Sequence, residues 1–278
     1  MNKKILIFLI TGMIGAVATA QIPEEKNFYS TEPQRTPEPF LFSVTTLTPD
    51  DLPWSLNYSG SYGERVTGPF GYDGIGQQFA VKGYLGNRFT LYANAAFGFP
   101  DENNVSSAQQ AEVIRDFTGG KKPVGFRLGA GLGISRDYSD VKSLLSRITL
   151  SFDALQWKIG GNLLLEKSLA SDRDNIDVIT SMGFQYHLTG SLYGGFEAVG
   201  EDLEGFWEKD EAEGGAKILV GPSINLVPNH SKFSFSVSGG PVMYATHSEV
   251  TNPNAIRELP SQNGLTVRAR IIFSLSGT

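Results

Sequence analysis

The stretch FRLGAGLGIS, Phe126 to Ser135, decides how the chain is read. Phe126, Leu128, Ala130, Leu132 and Ile134 fall in one phase, and Arg127, Gly129, Gly131, Gly133 and Ser135 in the other. Period two is the side-chain period of a β-strand, so one face is apolar and the other is polar or bare. Three glycines on the second face weaken an isolated strand, because they add backbone entropy and pack nothing. They suit a wall whose inner surface must leave room for bulk supplied from elsewhere, and Tyr84, Tyr92 and Tyr193 on neighbouring strands are the expected source.

The same alternation recurs along the chain. Trp54, Leu56, Tyr58, Gly60 and Tyr62 alternate with Ser55, Asn57, Ser59 and Ser61, and similar runs cover 77–85, 89–99, 124–136, 176–188, 192–200, 216–226, 233–245 and 265–275. In Ile148 to Leu165 the apolar set changes phase after Ala154, which is what a β-bulge does, so it is read as one long bulged strand. These runs make ten strands. The short turns LGNR, RDYSD, LTGS and PNHS then share one end of the sheet, and the connections 64–74, 100–123, 167–175, 201–215 and 246–264 share the other. Twelve strands is the alternative if Leu41 to Leu47 joins the wall. QQAEVIRDF, Gln109 to Phe117, is expected to form a short helix inside the 100–123 connection.

Alternation alone does not distinguish a soluble barrel from a membrane one. The polar face does. A water-exposed sheet carries many Lys, Glu and Thr, whereas Ser55, Asn57, Ser59, Asn94, Ser181, Gly183, Ser234, Ser236 and Ser238 suit a crowded interior. Trp54 and Tyr62, like Phe89 and Phe97, stand eight residues apart on the apolar face. At ~3.3 Å per residue and a tilt of ~40° that is roughly 20 Å along the membrane normal, near the ~25 Å band between aromatic girdles. The fold class is therefore all-β, an antiparallel up-and-down transmembrane β-barrel.

The first residues agree with export. MNKK, an apolar run, and Ala18-Thr19-Ala20 match the three parts of a secretory signal, with cleavage expected after Ala20. Removing Lys3 and Lys4 from 23 basic residues leaves 21 against 29 acidic ones, a net charge of −8 that disfavours nucleic acid as a partner. The chain has no cysteine, so closure and packing must hold it together. Residues 21–53, with Pro23, Pro33, Pro37, Pro39, Pro49 and Pro53, read as an extended proline-rich periplasmic segment ahead of a barrel domain, 54–278.

With its signal peptide, alternating strands, unequal loops and final strand LTVRARIIFSLSGT, the chain resembles the outer-membrane β-barrel proteins of Gram-negative bacteria, porin-like channels and uncharacterised transporters among them. It departs from them in ending on SLSGT after Phe273 rather than on an aromatic residue. The resemblance implies the outer membrane as location, membrane lipid and the barrel-assembly machinery as partners, small solutes as cargo and no cofactor.

In this reading the lumen holds Lys82, Arg127, Lys158, Lys217, Arg268 and Arg270 against Asp153, Glu166, Asp177 and Glu197. Charges in a narrow interior must be paired or solvated. They either form a network that fills and stiffens the barrel or a constriction that selects solutes, with Arg268 and Arg270 favouring anions. The expected function is a narrow channel or transporter for small polar or charged solutes, and the alternative is a non-conducting structural or binding barrel. The loop from Glu201 to Gly215 carries Glu201, Asp202, Glu204, Glu208, Asp210, Glu211 and Glu213, hard oxygen ligands that suit a divalent cation, although a solvated acidic loop is the plainer reading. An enzyme is not expected. Of the three histidines, His247 with Glu249 nearby lies at the outer rim, as in the outer-membrane proteases, but no GxSxG or Ser/His/Asp grouping accompanies it, and His187 and His230 read as structural.

Overall fold

The computed structural model describes residues 39–47, 54–63, 74–101, 104–118, 124–170, 176–207, 215–228, 231–246 and 264–275, all within the unit Gln34–Thr278. Twelve antiparallel strands among them close into one barrel. They are β1 Trp54–Gly63, β2 Gly74–Gly86, β3 Phe89–Asp101, β4 Asn104–Asp116, β5 Gly125–Arg136, β6 Lys142–Asp153, β7 Trp157–Ser168, β8 Asp177–Thr189, β9 Leu192–Glu201, β10 Lys217–Leu226, β11 Phe233–Tyr244 and β12 Leu265–Leu275. Each strand pairs with its sequence neighbours, and β1 closes on β12 from Trp54↔Leu275 to Gly63↔Thr266. Closure leaves no strand edge to pair with another chain.

The strand number corrects the ten expected, and both changes have local causes. The segment read as a helix, Gln109 to Phe117, lies in β4 as far as Asp116. Its inner face carries the apolar Ala108 and Ile114 beside Gln110, Glu112 and Asp116, while its outer face carries Ser107, Gln109 and Arg115, so the two-residue period is blurred in sequence. The segment read as one bulged strand is β6 and β7 joined through residues 154–156. Asp153 pairs with Lys158 across residues 154–157, and an even number of residues between paired positions shifts the apolar phase just as a bulge does. The two added strands restore the directions of β8 to β12, and the RDYSD turn changes ends. Leu41–Leu47 does not join the wall.

Trp54 and Leu275 mark the terminal rim, towards which β2 and β3, β4 and β5, β6 and β7, β8 and β9, and β10 and β11 turn into one another. At the opposite rim β1 ends and β2 begins, as do β3 and β4, β5 and β6, β7 and β8, β9 and β10, and β11 and β12. Asn87 (φ 50°) and Arg88 (φ 68°) both take the left-handed conformation of a two-residue type I′ hairpin, whose twist matches that of the flanking strands.

The faces sort as the alternation requires. Leu132 is 72 % exposed and Ile134, Phe126 and Ile148 also point outward, whereas Ser59, Asn94, Gly129, Gly131, Ser181 and Ser236 point in and are buried. Outside, Phe152, Trp157, Phe184 and Phe196 form a continuous aromatic row across β6 to β9, with centroids 5.3, 6.2 and 5.6 Å apart. Among the described residues no helix is long and apolar enough to cross a membrane.

Candidate functional site

The lumen is occupied by the chain itself. Pro39 to Leu47, read from sequence as part of the leader, enters from the terminal rim beside β7 and β8, bends at mid-height near Phe42 and returns to that rim beside β3 and β4. A buried extended segment exposes main-chain N–H and C=O groups that must find partners. Here side chains of the wall supply them. The Glu197 carboxylate on β9 accepts from the N–H groups of Leu41 and Phe42 at 2.8 and 3.0 Å. Asn162 on β7 pairs with both main-chain groups of Val44, its Oδ1 accepting the N–H at 2.6 Å and its Nδ2 donating to the carbonyl at 2.8 Å. Thr90 Oγ1 accepts from the Leu47 N–H at 2.9 Å. Gln185 Nε2 and Arg268 Nη1 donate to the carbonyls of Pro39 and Leu41 at 3.4 and 3.5 Å.

Side chains of the segment are held as closely. Ser43 Oγ donates to Ser181 Oγ at 2.8 Å, Thr46 Oγ1 donates to Asp116 Oδ2 at 2.9 Å, and Lys82 Nζ donates to Thr45 Oγ1 at 3.0 Å. Leu41 and Phe42 pack on Val199, Leu219 and Val242 of β9, β10 and β11, and the Arg268 guanidinium lies over the Phe42 ring at 4.7 Å. Phe40, wholly buried, rests on glycines. A Cβ on Gly183 would stand 2.2 Å from its ring and one on Gly160 2.9 Å. Glycine in the wall therefore makes room for bulk, as expected, but the tyrosines named for that role are not what fills it. The β5 glycines face Thr46 of the segment, Ile114 and Glu112.

The charged positions named from sequence all lie on lumen-facing phases. Arg127 is 3.2 Å from Asp153, and Lys158 is 2.8 Å from the same carboxylate, a triad near the terminal rim. Glu166 accepts from Ser135 Oγ at 3.2 Å and stands opposite Asp177 in the β7–β8 register. The Lys217 ammonium lies 5.3 Å from the Tyr244 ring centre. Arg268 and Arg270 border a cavity of about 80 Å³ beside the bend of the segment, with Arg147 and Asn162 across from them.

Sequence reading overlooked Glu112, Asp116, Arg147 and Asn162. Arg147 Nε and Nη2 bond Glu112 Oε2 and Oε1 at 2.7 and 2.8 Å, and its Nη1 donates to Asn162 Oδ1 at 3.1 Å. Gln110 Nε2 also bonds Glu112 Oε1. Extending the phase of Ile148 back to Lys142 would have placed Arg147 inward. In the acidic loop Glu201, Asp202 and Glu204 are buried rather than solvated, and Glu204 Oε2 accepts from the Val178 N–H at 2.7 Å. Glu208, Asp210, Glu211, Glu213, His230, His247 and Glu249 lie outside the described residues. Among the described residues no group of three or more His, Asp and Glu side chains is placed to hold a metal ion. His187 stacks on Tyr193 at 4.8 Å, with Nε2 2.8 Å from the Gly190 carbonyl.

No protein-family model matches the sequence, and no curated protein sequence matches it. Solved structures do match the fold. The KdgM porin is 9 % identical with a TM-score of 0.53, the match covering 80 % of this chain and 99 % of that one. KdgM in complex with disordered oligogalacturonate gives 9 %, 0.55, 80 % and 99 %. The NanC porin gives 10 % and 0.51, over 79 % of this chain and 100 % of its own. At such identities the likeness is one of architecture. In fold, this chain is a closed antiparallel β-barrel similar to the KdgM and NanC porins.

Proposed function

We propose that the protein is a narrow outer-membrane channel for small polar or charged solutes, and that Pro39–Leu47 closes it in the state described. The supporting observation is the way the segment is held. It crosses the lumen on side-chain hydrogen bonds rather than as a strand of the wall, so it can leave without breaking the barrel ladder. Both of its ends face the terminal rim, which in an even-stranded barrel of this type is the periplasmic one. Export by a signal peptide cleaved after Ala20, insertion by the assembly machinery and a lipid-facing outer surface belong to the same reading.

Withdrawal of the segment would take the Leu41 carbonyl and the Phe42 ring from Arg268, and Thr45 from Lys82, baring more of two cations that share the lumen with Arg270. Arg268 and Arg270 would then give the open path an anionic preference. The complex of KdgM with disordered oligogalacturonate is a precedent for a barrel of similar fold that binds a solute. The filled lumen also favours a second reading, a non-conducting structural or binding barrel. Planar-bilayer recording separates the two. Deleting residues 39–47 is expected to turn rare or small openings into steady conductance, and a deleted barrel that folds, by its heat-dependent gel shift, yet stays silent would overturn the channel reading.

A further inference from the structure

We propose that the lumen wall is a binding site for extended peptides, read through their main-chain amides, and that Pro39–Leu47 occupies it as a resident pseudo-ligand. The inference rests on the reading that the segment can leave the lumen, but it does not require that anything is conducted.

The wall addresses the peptide backbone at Pro39, Leu41, Phe42, Val44 and Leu47. Glu197 takes two successive N–H groups, Asn162 takes both amide groups of Val44, Thr90 takes the Leu47 N–H, and Gln185 and Arg268 donate to two carbonyls. A side chain that pairs with the N–H and C=O of one residue copies the pairing of an adjacent strand, and such pairing is indifferent to the side chain that residue carries. Beside the hydroxyl contacts of Ser43, Thr45 and Thr46, selectivity rests chiefly on two slots. One is the bare floor of Gly160 and Gly183, which takes the Phe40 ring. The other is the Val199, Leu219 and Val242 patch under Arg268, which takes the Phe42 ring. The site therefore fits an extended chain of about nine residues with aromatic side chains at its second and fourth positions.

The central reader is oriented by the wall and not by its occupant. Arg147 donates to Asn162 Oδ1 while a bidentate bond to Glu112 fixes the guanidinium, and Asn162 Nδ2 also donates to the Gly161 carbonyl. Those bonds persist when Val44 departs, so the amide stays aimed into the lumen. A plug with only a structural task does not need a preorganised reader, and preorganisation is what lets a site rebind a ligand from solution.

The test uses the folded full chain in detergent. Val44→Pro removes the N–H that Asn162 accepts and is expected to loosen the resident segment. The probe is a fluorescein-labelled nonapeptide with the sequence of residues 39–47, and binding is read by anisotropy. The probe is expected to bind Val44→Pro and to bind at least tenfold more weakly when Asn162→Ala is added. Unlabelled peptides unrelated except for aromatic residues at positions two and four should compete within tenfold of the parent, and a parent peptide N-methylated at the position of Val44 should not. Competition by the parent sequence alone, equal binding of the N-methylated peptide, or no binding to a barrel shown folded by its gel shift would overturn the proposal. If Val44→Pro does not fold, the same readings on the barrel lacking residues 39–47 decide it. Conductance without peptide binding would leave the channel reading standing and sink this one.

Discussion

Glu112 and Arg147 form an enclosed ion pair in the lumen, their side chains 0 % and 8 % exposed and 2.7 Å apart. Such a pair contributes little net stability against a well-packed apolar pair, but removing one member strands a buried charge at a cost of about 3–5 kcal/mol. Glu112→Ala is expected to lower the barrel's unfolding free energy by that amount, read by urea titration of tryptophan fluorescence in lipid vesicles. Adding Arg147→Met should recover most of the loss, and no loss at all in the single variant would mean that the pair is solvated. Gly183 marks the opposite kind of position, where nothing can be added. Gly183→Leu must displace the Phe40 ring and, with it, the entry of the segment. In a Ser43→Cys background, where the introduced thiol is the only one in the chain, its reaction with a water-soluble maleimide should quicken at least tenfold. An unchanged rate would show that Phe40 does not anchor the segment. The glycines were legible as spaces from the sequence, but their occupant was not, because a space carries no record of what fills it.

The internal segment and the strands β4, β6 and β7 are the elements that sequence misread, and they share a cause. Each breaks the clean alternation that made β5 readable. Strand β4 places Ile114 inside and Arg115 outside, where the guanidinium lies over the rings of Phe89 and Phe117 at 5.5 and 6.0 Å. Aromatic cover makes an outward charge acceptable near a rim, and no count of polar residues reveals that cover. The β6–β7 turn and a bulge give the same phase slip, and strand length decides between them. An 18-residue run is long for a wall of strands of 10 to 13 residues. LFSVTTL, between Pro39 and Pro49, could be seen to be extended, but its partners come from β2, β3, β4, β7, β8, β9 and β12, contacts that no local pattern records. That arrangement allows a direct test of closure. A Cβ on Gly129 would stand 2.7 Å from Thr46 Cγ2, near enough for a disulfide in the double variant Gly129→Cys, Thr46→Cys. The oxidised protein is expected to hold the segment in place and show no openings beyond background in a bilayer, and reduction with dithiothreitol should restore wild-type gating. Equal conductance in both redox states would mean that the segment does not close the path.

For the whole molecule, architecture was the legible part, because it follows from distributed signals: the alternation and an interior of serine and glycine. Net charge told less about the lumen, since the cations and anions there are paired across strands that had first to be placed. What the barrel as a whole would select depends on which of those charges line the path when the segment is gone. Arg127 and Lys158 are held by Asp153, and Arg147 by Glu112. Arg268 and Arg270 share one strand, two residues apart on its inner face, and both border the cavity at mid-lumen. Charges of one sign lining a narrow polar path raise the local concentration of counter-ions, and focusing is strongest where low-dielectric walls are close. The barrel lacking residues 39–47 should therefore prefer chloride to potassium. In it, Arg270→Glu, which replaces a positive charge by a negative one at the same height, should shift the reversal potential across a tenfold potassium chloride gradient toward the potassium equilibrium value, while Lys142→Glu at the exposed end of β6 should leave it near that of its parent. The measurement is the zero-current potential of single channels at ~0.1 M salt, where the screening length is about 10 Å and lumen charges still act across the path. A potential unmoved by Arg270→Glu would place the selective step elsewhere in the barrel and remove the anion preference from the proposed function.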